Sequence, residues 1–427
     1  MAVFADVQRA LPYLKVPLSE SIVDAMELKN TSIAIFDKGK PQMMNSKGAR
    51  QVVEIQTNPA YGYQPEGGFF REAGSHKAVE YLIGFSRFHI SGGVNGDYFA
   101  NISKQSIGPT IAMLIGRDLK VLKRQLNIEF CHGTGLGQRG KLPASGSNIS
   151  VTAGVTTVTF DGEEGTRFLD VGATYFVHDP VAGTQRCSTV TNGFDCTSIT
   201  DTTHAVFNGD MTSGASAVAN GDIFVFKATV DNQSSFNRAL FGFEYFFGNS
   251  GMYFGLSKDT IDKIRGIKID GTTDNVNHGL LQKGITRFKY RWNEDAVDSF
   301  HVDFIPPAQE AAYMLLGYPL RRVQSDDAKY DGAFKTVTDG NRTMVIDAHI
   351  RPSNWFRVDK NTIFRYPFKE IAVWDLDGLQ MRAPQGSGSI QDRVFWVLDG
   401  KGQYACINPA RNVWYFNLGT SGVDTGV

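Results

Sequence analysis

Residues 101–142 read NISKQSIGPTIAMLIGRDLKVLKRQLNIEFCHGTGLGQRGKL. Ile111, Ile115, Leu119, Leu122, Leu126 and Phe130 recur at steps of four, four, three, four and four. That spacing lines up one face of an α-helix. Pro109, after Gly108, suits a first helical turn, and the glycines of His132-Gly-Thr-Gly-Leu-Gly137 suit a stop. The expected helix, 109–130, would be roughly 33 Å long at 1.5 Å per residue. Little else in the chain has so clear a helical period. A single long helix in a glycine-rich, β-rich chain reads as a girder rather than a catalytic element.

Outward from this helix, residues 1–50 read as an arm, with a short amphipathic piece at 19–28. Residues 51–98 hold two strand-like runs, 52–55 and 79–90, around a glycine-rich middle. A loop of that length without a helix is unusual inside a compact domain and suits a projecting hairpin. Its middle carries Phe69-Phe70-Arg71-Glu72. Exposed paired aromatics mark a contact site; the alternative is that the two rings fold back onto the chain's own core.

Beyond the helix, residues 147–231 are β in character, with strand-like runs at 151–160, 174–177, 188–199 and 222–230. Asp161-Gly162, Asp179-Pro180 and Asn192-Gly193 punctuate them as turns. Residues 232–427 are mixed. A second helix is expected over 307–316, with Pro307 at its start. Trp374-Asp-Leu-Asp-Gly378 and Trp396-Val-Leu-Asp-Gly400 read as two similar hairpins, since Asp-Gly between apolar residues is a turn signal. The fold class is therefore α+β.

Composition narrows the function. The 427 residues are 42% hydrophobic and 20% charged, enough for a sizeable core and two or three domains. The net charge of −1 gives no global basic footprint for reading nucleic acid. No apolar run approaches the ~20 residues that span a membrane. Met1 to Val16, interrupted by Asp6, Arg9, Pro12 and Lys15, does not read as a signal peptide, so folding in the cytoplasm is expected. The four cysteines lack metal-ligand spacing. Free thiols are expected in a reducing compartment, although Cys187 and Cys196 could meet across a hairpin.

Catalytic signals are weak. Gly135-Leu-Gly-Gln-Arg-Gly-Lys141 resembles a phosphate-binding loop. It follows a helix rather than a strand, and Leu142 replaces the hydroxyl residue, so a helix stop and tight turn is the better reading. The eight histidines form no His-x-x-x-His pair, and His301-Val-Asp303 has no nucleophile motif beside it. Glu163-Glu164 and Asp326-Asp327 read as solvated turns. No catalytic, cofactor or metal residues are assigned, and no enzyme activity is expected. Arg117, Lys120 and Arg124 share a face of the long helix, with Lys123 beside them. This is either a solvated basic face or a non-specific surface for a polyanion.

With these parts in order, the chain resembles the major capsid protein of tailed double-stranded-DNA bacteriophages. Residues 1–50 resemble the N-terminal arm, 51–98 the extended hairpin loop, and 99–146 the spine helix of the peripheral domain. Residues 147–231 look like a β-rich inserted unit, and 232–427 the axial domain with the remaining peripheral strands. Arg117-Asp-Leu-Lys-Val-Leu-Lys-Arg-Gln-Leu-Asn127 with its glycine-rich exit carries the likeness, as do Tyr404-Ala-Cys-Ile-Asn-Pro-Ala-Arg411 and Trp414-Tyr-Phe-Asn-Leu418. The resemblance implies a shell subunit of hexamers and pentamers, assembled in the host cytoplasm into the virion capsid around DNA. It implies Phe69, Phe70, Arg71 and Glu72 at a subunit interface and Arg117, Lys120 and Arg124 toward DNA. Copies of itself and packaged DNA are the expected partners; scaffolding, portal and decoration proteins are admitted, and no membrane. The alternatives are a cargo-enclosing bacterial shell of the same fold and a glycan-binding or glycan-cleaving tail protein.

Overall fold

The computed structural model describes residues 32–40, 43–56, 75–95, 104–187, 192–212, 216–228, 234–292, 301–321, 338–339, 342–373 and 393–420. The long helix, α1 (Lys104–His132), has 29 residues, about 44 Å at 1.5 Å per residue. It begins before Pro109, which therefore lies in the second turn and forgoes a single backbone bond instead of opening the helix. Ile115, Leu119, Leu122, Leu126 and Phe130 are all buried in the main core, as their spacing requires.

Strands β1 (Met43–Asn45), β2 (Gly48–Gln56) and β3 (Lys77–Gly84) form an antiparallel sheet, with Arg50 opposite Leu82 and Val53 opposite Val79. The run expected over 79–90 is two strands. The chain breaks at Phe85, and β4 (Ser86–Asn95) joins a different sheet.

A seven-stranded antiparallel sheet follows. Its strands are β5 (Gln138–Lys141), β6 (Ile149–Thr152), β7 (Val155–Thr159), β8 (Thr174–His178), β9 (Phe194–Ile199), β10 (His204–Asn208) and β11 (Ile223–Phe226), in the order β5-β11-β8-β9-β10-β7-β6. It has its own core around Phe160, Tyr175, Phe207 and Phe224. The single strand expected over 151–160 is a tight hairpin, because Ala153 and Gly154 both take positive φ (52° and 79°). The stretch 138–141, expected to be a turn, is an edge strand of this sheet.

A five-residue helix, α2 (Phe243–Phe247), then leads to a six-stranded mixed sheet. Its strands are β14 (Ile267–Asp270), β15 (His301–Ile305), β16 (Thr338–Asp339), β17 (Arg342–Ile346), β18 (Trp355–Asp359) and β21 (Val413–Phe416), in the order β14-β21-β18-β15-β17-β16. A small hairpin, β12 (Met252–Tyr253) with β13 (Leu256–Ser257), precedes it. Helices α3 (His278–Trp292) and α4 (Pro307–Arg321) supply Leu281, Phe288 and Ala312 to one face of the sheet, against Trp355 and Tyr415. Phe304, Phe356 and Trp414 on the other face join α1 in the main core. Helix α4 starts at Pro307 as expected and continues past 316.

Finally β19 (Ile363–Val373) and β20 (Arg393–Cys406) pair, and β4 lies on the far side of β20. This corrects one sequence reading. Asp399-Gly400 is no hairpin turn but the interior of the 14-residue strand β20. Asp399 is buried there between Arg87 (2.8 Å) and Lys369 (2.8 Å), and a Cβ on Gly400 would lie 2.4 Å from the Phe88 ring. Close packing, not turn geometry, selects this glycine. The matching copy at 374–378 lies outside the described residues. All four cysteines are free and buried.

Candidate functional site

The exit of α1 rests on buried charge. Glu164 is only 2% exposed, against the expectation of a solvated turn. Its carboxylate accepts from Gln138 Nε2 of β5 at 2.6 and 2.7 Å and from Arg351 Nε at 2.8 Å, and lies 3.4 Å from Nδ1 of His132. Arg351 extends to Glu244 in the first turn of α2 at 3.1 Å, and Glu244 also accepts from Asn354 Nδ2 at 3.1 Å. Burial alone would raise the Glu164 pKa, but Arg351, His132 and Gln138 hold it well below the usual carboxylate range. Glu244 is pushed up to about 7 by burial, against Arg351 and with the help of Glu164. One guanidinium cannot neutralise two buried carboxylates. Burial also lowers the His132 pKa, so the imidazole is neutral and adds no second cation.

A second cluster sits beside it. Asp347 accepts from Ser32 Oγ (2.6 Å), Asn127 Nδ2 (2.8 Å), and the His349 backbone N–H (2.9 Å) and Nδ1 (2.8 Å). Burial opposes its charge, yet these bonds hold its pKa well below the usual value. Cys131 lies 3.7 Å from the same carboxylate, and burial pushes its thiol pKa well up. Cysteine, histidine and aspartate thus meet without forming a nucleophilic site, because the thiol is both sealed and protonated. Among the described residues no group of three or more His, Cys, Asp or Glu could hold a metal ion.

The loop that resembled a phosphate cradle is consumed by structure. Arg139 is buried, 2.5 Å from Glu129 of α1 and 4.8 Å above the Phe226 ring. Gly133 takes positive φ (51°), and Gly242 lies so close that a Cβ there would be 1.8 Å from the Phe130 carbonyl. Asp303 of the His301-Val-Asp303 stretch is held by Arg357 in a buried two-point pair at 2.7 and 2.7 Å.

The expected surface residues divide. Arg117, Lys120 and Arg124 are exposed on α1, and Arg124 lies 3.8 Å from Asp170. Lys123 leaves that face and is half-buried in a pocket over β19 and β20. Asp118 accepts from Trp396 Nε1 at 2.8 Å, which ties α1 to β20. Phe69, Phe70, Arg71 and Glu72 lie outside the described residues. Sequence reasoning missed Glu164, Glu244, Asp347 and Arg351. No local signal marks them, because Arg351 meets Glu164 across 187 positions.

This arrangement of elements occurs in solved structures. A chain of the Cyanophage A-1(L) capsid asymmetric unit matches with a TM-score of 0.51 at 10% identity, over 88% of this chain and 89% of that one. The fold is that of a phage capsid subunit. A chain from the capsid of a native GTA particle (TM-score 0.44, 8% identity, 91% of each chain) and one from Gordonia phage Cozz (0.43, 9%, 91% and 86%) also match. No protein-family model matches the chain. No curated protein matches it either. At such identities the capsid fold is what is shared. Charged pairs as specific as Glu164–Arg351 are features of this chain to be read on their own chemistry.

Proposed function

We propose that this chain is the structural subunit of an icosahedral shell that self-assembles around phage double-stranded DNA. The observation that carries this reading is the capsid fold spanning 88% of the chain. The mechanism is association rather than catalysis: projecting elements overlap neighbouring copies, and the buried apolar area stabilises the shell. In this reading residues 1–50 are the arm, 51–98 the extended hairpin, 99–146 the spine helix, 147–231 an inserted unit and 232–427 the axial domain with remaining strands. The outer side of the β2–β3 ribbon supports it. Exposed Val52 and Leu82 alternate there with Arg50 and Glu80, which pair at 3.5 Å, since Arg50 faces Leu82 and Val52 faces Glu80 across the ribbon. Further along the hairpin, Phe69 and Phe70 contact a neighbour, with Arg71 and Glu72 at the rim. Arg117, Lys120 and Arg124 face DNA, as a sequence-independent electrostatic surface. Assembly takes place in the host cytoplasm, and no described helix is long and apolar enough to cross a membrane.

Negative-stain microscopy and sedimentation of purified protein, alone and co-expressed with any scaffolding partner, test this. Hexamers, pentamers, sheets or shells are expected. A protein that stays monomeric at high concentration overturns the proposal. Shells that carry enzymes and no DNA would move it to the cargo-enclosing class, and a soluble trimer that binds oligosaccharide to the tail-protein class.

A further inference from the structure

The fold treats the free edges of its sheets unequally. The Ile267 and Gly271 N–H groups donate to the Asn412 and Phe416 carbonyls on the β21 side, so the Lys268 carbonyl of β14 points outward. Arg287 of α3 donates to that carbonyl at 3.2 Å, and Arg291 to the Arg265 carbonyl at 2.9 Å. Two arginines thus plug this edge. The edge of β19 is interrupted by Pro367 and by two shifts of register against β20. Residues 37–39 also cover it: the Gly39 N–H donates to the Arg365 carbonyl (2.8 Å) and the Arg365 N–H to the Asp37 carbonyl (2.9 Å). β4 has none of these devices. It contains no proline and pairs with β20 residue for residue over all ten positions. Its other edge has no strand partner among the described residues, and β3 shares that openness. An open row of backbone donors and acceptors is a template for a further strand.

β4 differs from β3 in what lies beside it. A cleft of about 1030 Å³ opens there, and every residue from Gly84 to Ser91 lines it. Phe88 and Ile90 face the main core on the α1 side, as does Gly92, whose Cβ would meet Asp118 of that helix. Arg87, His89 and Ser91 face the other way, since side chains alternate along a strand. Side chains of both faces line one cleft, so the backbone edge between them is part of its wall. The walls are accessible: Arg87, His89, Ser91 and Arg238 are exposed, and Val121 of α1 is 46% exposed. Small-molecule sites measure roughly 300–1,000 Å³. This cleft lies at or above that range and follows Ser86–Ser91 for about 20 Å at 3.4 Å per residue, which suits an extended chain. Its carboxylates are engaged: Asp399 by Arg87 and Lys369, Glu129 by Arg139, and Asp170 by Gln125 at 2.9 Å. Lys227 and Arg238 add positive charge to the lining, which favours carboxylates on whatever enters.

We propose that β4 is a strand-addition edge, and that an extended, carboxylate-bearing segment of a second copy of this chain lies in the cleft. Its backbone bonds to the open edge over Ser86–Ser91, and its apolar side chains rest on Ile90 and Val121. The proposal rests on the reading of the chain as a shell subunit and names a main-chain contact between copies. A second copy is the occupant because a subunit that meets identical chains at high concentration must close the edges it does not use. β14 and β19 are closed in this way, and β4 is left open.

Amide hydrogen exchange read by mass spectrometry tests it, because strand addition protects backbone N–H groups and side-chain docking does not. Peptides covering 86–91 are compared in the dilute, unassembled subunit and in particles assembled from the purified chain alone. Every second amide should exchange freely in the subunit, because β20 protects only the alternate ones, and become protected in the particle. Val121→Glu, at an exposed site, should keep the subunit's circular dichroism spectrum and lose both the protection and the assembly. Amides already protected in the dilute subunit would mean that the chain covers its own edge, and would overturn the proposal. Particles without new protection would overturn it while leaving the shell reading intact. Protection that appears only when a separate scaffolding protein is added would assign the strand to that protein and overturn the second copy. A chain that forms no particles under any condition would remove the shell reading, and this contact with it.

Discussion

Replacing Glu244 by glutamine should make the protein more stable at neutral pH, although it deletes one arm of an ion pair. Arg351 is the one cation in direct contact with both Glu164 and Glu244 among the described residues, with Arg167 and Lys268 acting from farther off, so burial of the Glu244 charge is only partly offset when both are ionised. Glu244 answers by rising from 4.5 to about 7. A carboxyl whose folded pKa is raised contributes stability that is complete below its unfolded value and is lost as pH rises through the folded value. That gap, at about 1.4 kcal/mol per pH unit, amounts to about 3 kcal/mol lost from low pH to pH 8. Most of the loss, roughly 2–3 kcal/mol, falls between pH 5 and 8. His132 acts with the opposite sign: its pKa is depressed, so its contribution is complete above 6.5 and lost as pH falls. Glu164 and Asp347, both depressed, lose their contributions only below their ordinary values of 4.5 and 3.8. These groups are present in both proteins, so subtracting Glu244→Gln from wild type isolates Glu244. Urea unfolding followed by tryptophan fluorescence at pH 5, 6, 7 and 8 is the assay. The wild type should weaken relative to the variant across that series. Parallel curves, or a variant less stable than wild type at pH 8, would refute the reasoning and mean that Arg351 needs both charges.

Leu119→Pro, at a fully buried position in mid-helix, should cost about 3 kcal/mol or more and abolish assembly; normal particles by microscopy would contradict the role given to α1. Gly242→Ala should destabilise by roughly 1–3 kcal/mol, because its Cβ would press on the Phe130 carbonyl; an unchanged thermal midpoint would count against that contact. Gln at Arg117, Lys120 and Arg124 together should leave empty-shell formation intact while weakening DNA retention and flattening its salt dependence. Phe69→Ala with Phe70→Ala should keep the circular dichroism spectrum of the subunit and weaken capsomer association in sedimentation; an unfolded subunit would assign both rings to its own core.

The long helix was legible because one apolar face repeats over five turns and nothing tertiary contests it. Its start was not, since Pro109 is tolerated one turn inside the helix. Strands β8, β9 and β11 of the seven-stranded sheet were legible as strand-like runs, but β5 read as a turn and β10 gave no run. The turn at Ala153–Gly154 carries no strong sequence signal, so β6 and β7 read as one strand. Asp399-Gly400 misled because a local turn preference was overruled by Arg87, Lys369 and the Phe88 ring, all supplied from elsewhere. Lys123 stands beside the basic face rather than on it, as the helical step of 100° from Arg124 requires. The buried charges were illegible for a more general reason. A Glu-Glu pair looks solvated until an arginine 187 positions away is folded against it.

The placing of β20 and β21 has a consequence for the order of events in the cell. β20 fills the middle of its sheet, between β19 and β4, and β21 lies between β14 and β18. Neither sheet can close until residues 393–416 have left the ribosome. Arg87 waits 312 positions for Asp399. At 5–20 residues per second, that is roughly 15–60 s during which the hydrogen-bonding edge of β4 that receives β20 has no strand partner. Such non-local closure also folds slowly. The topology therefore works as a timer: a nascent chain cannot offer a finished surface to its neighbours before its own synthesis has passed these strands.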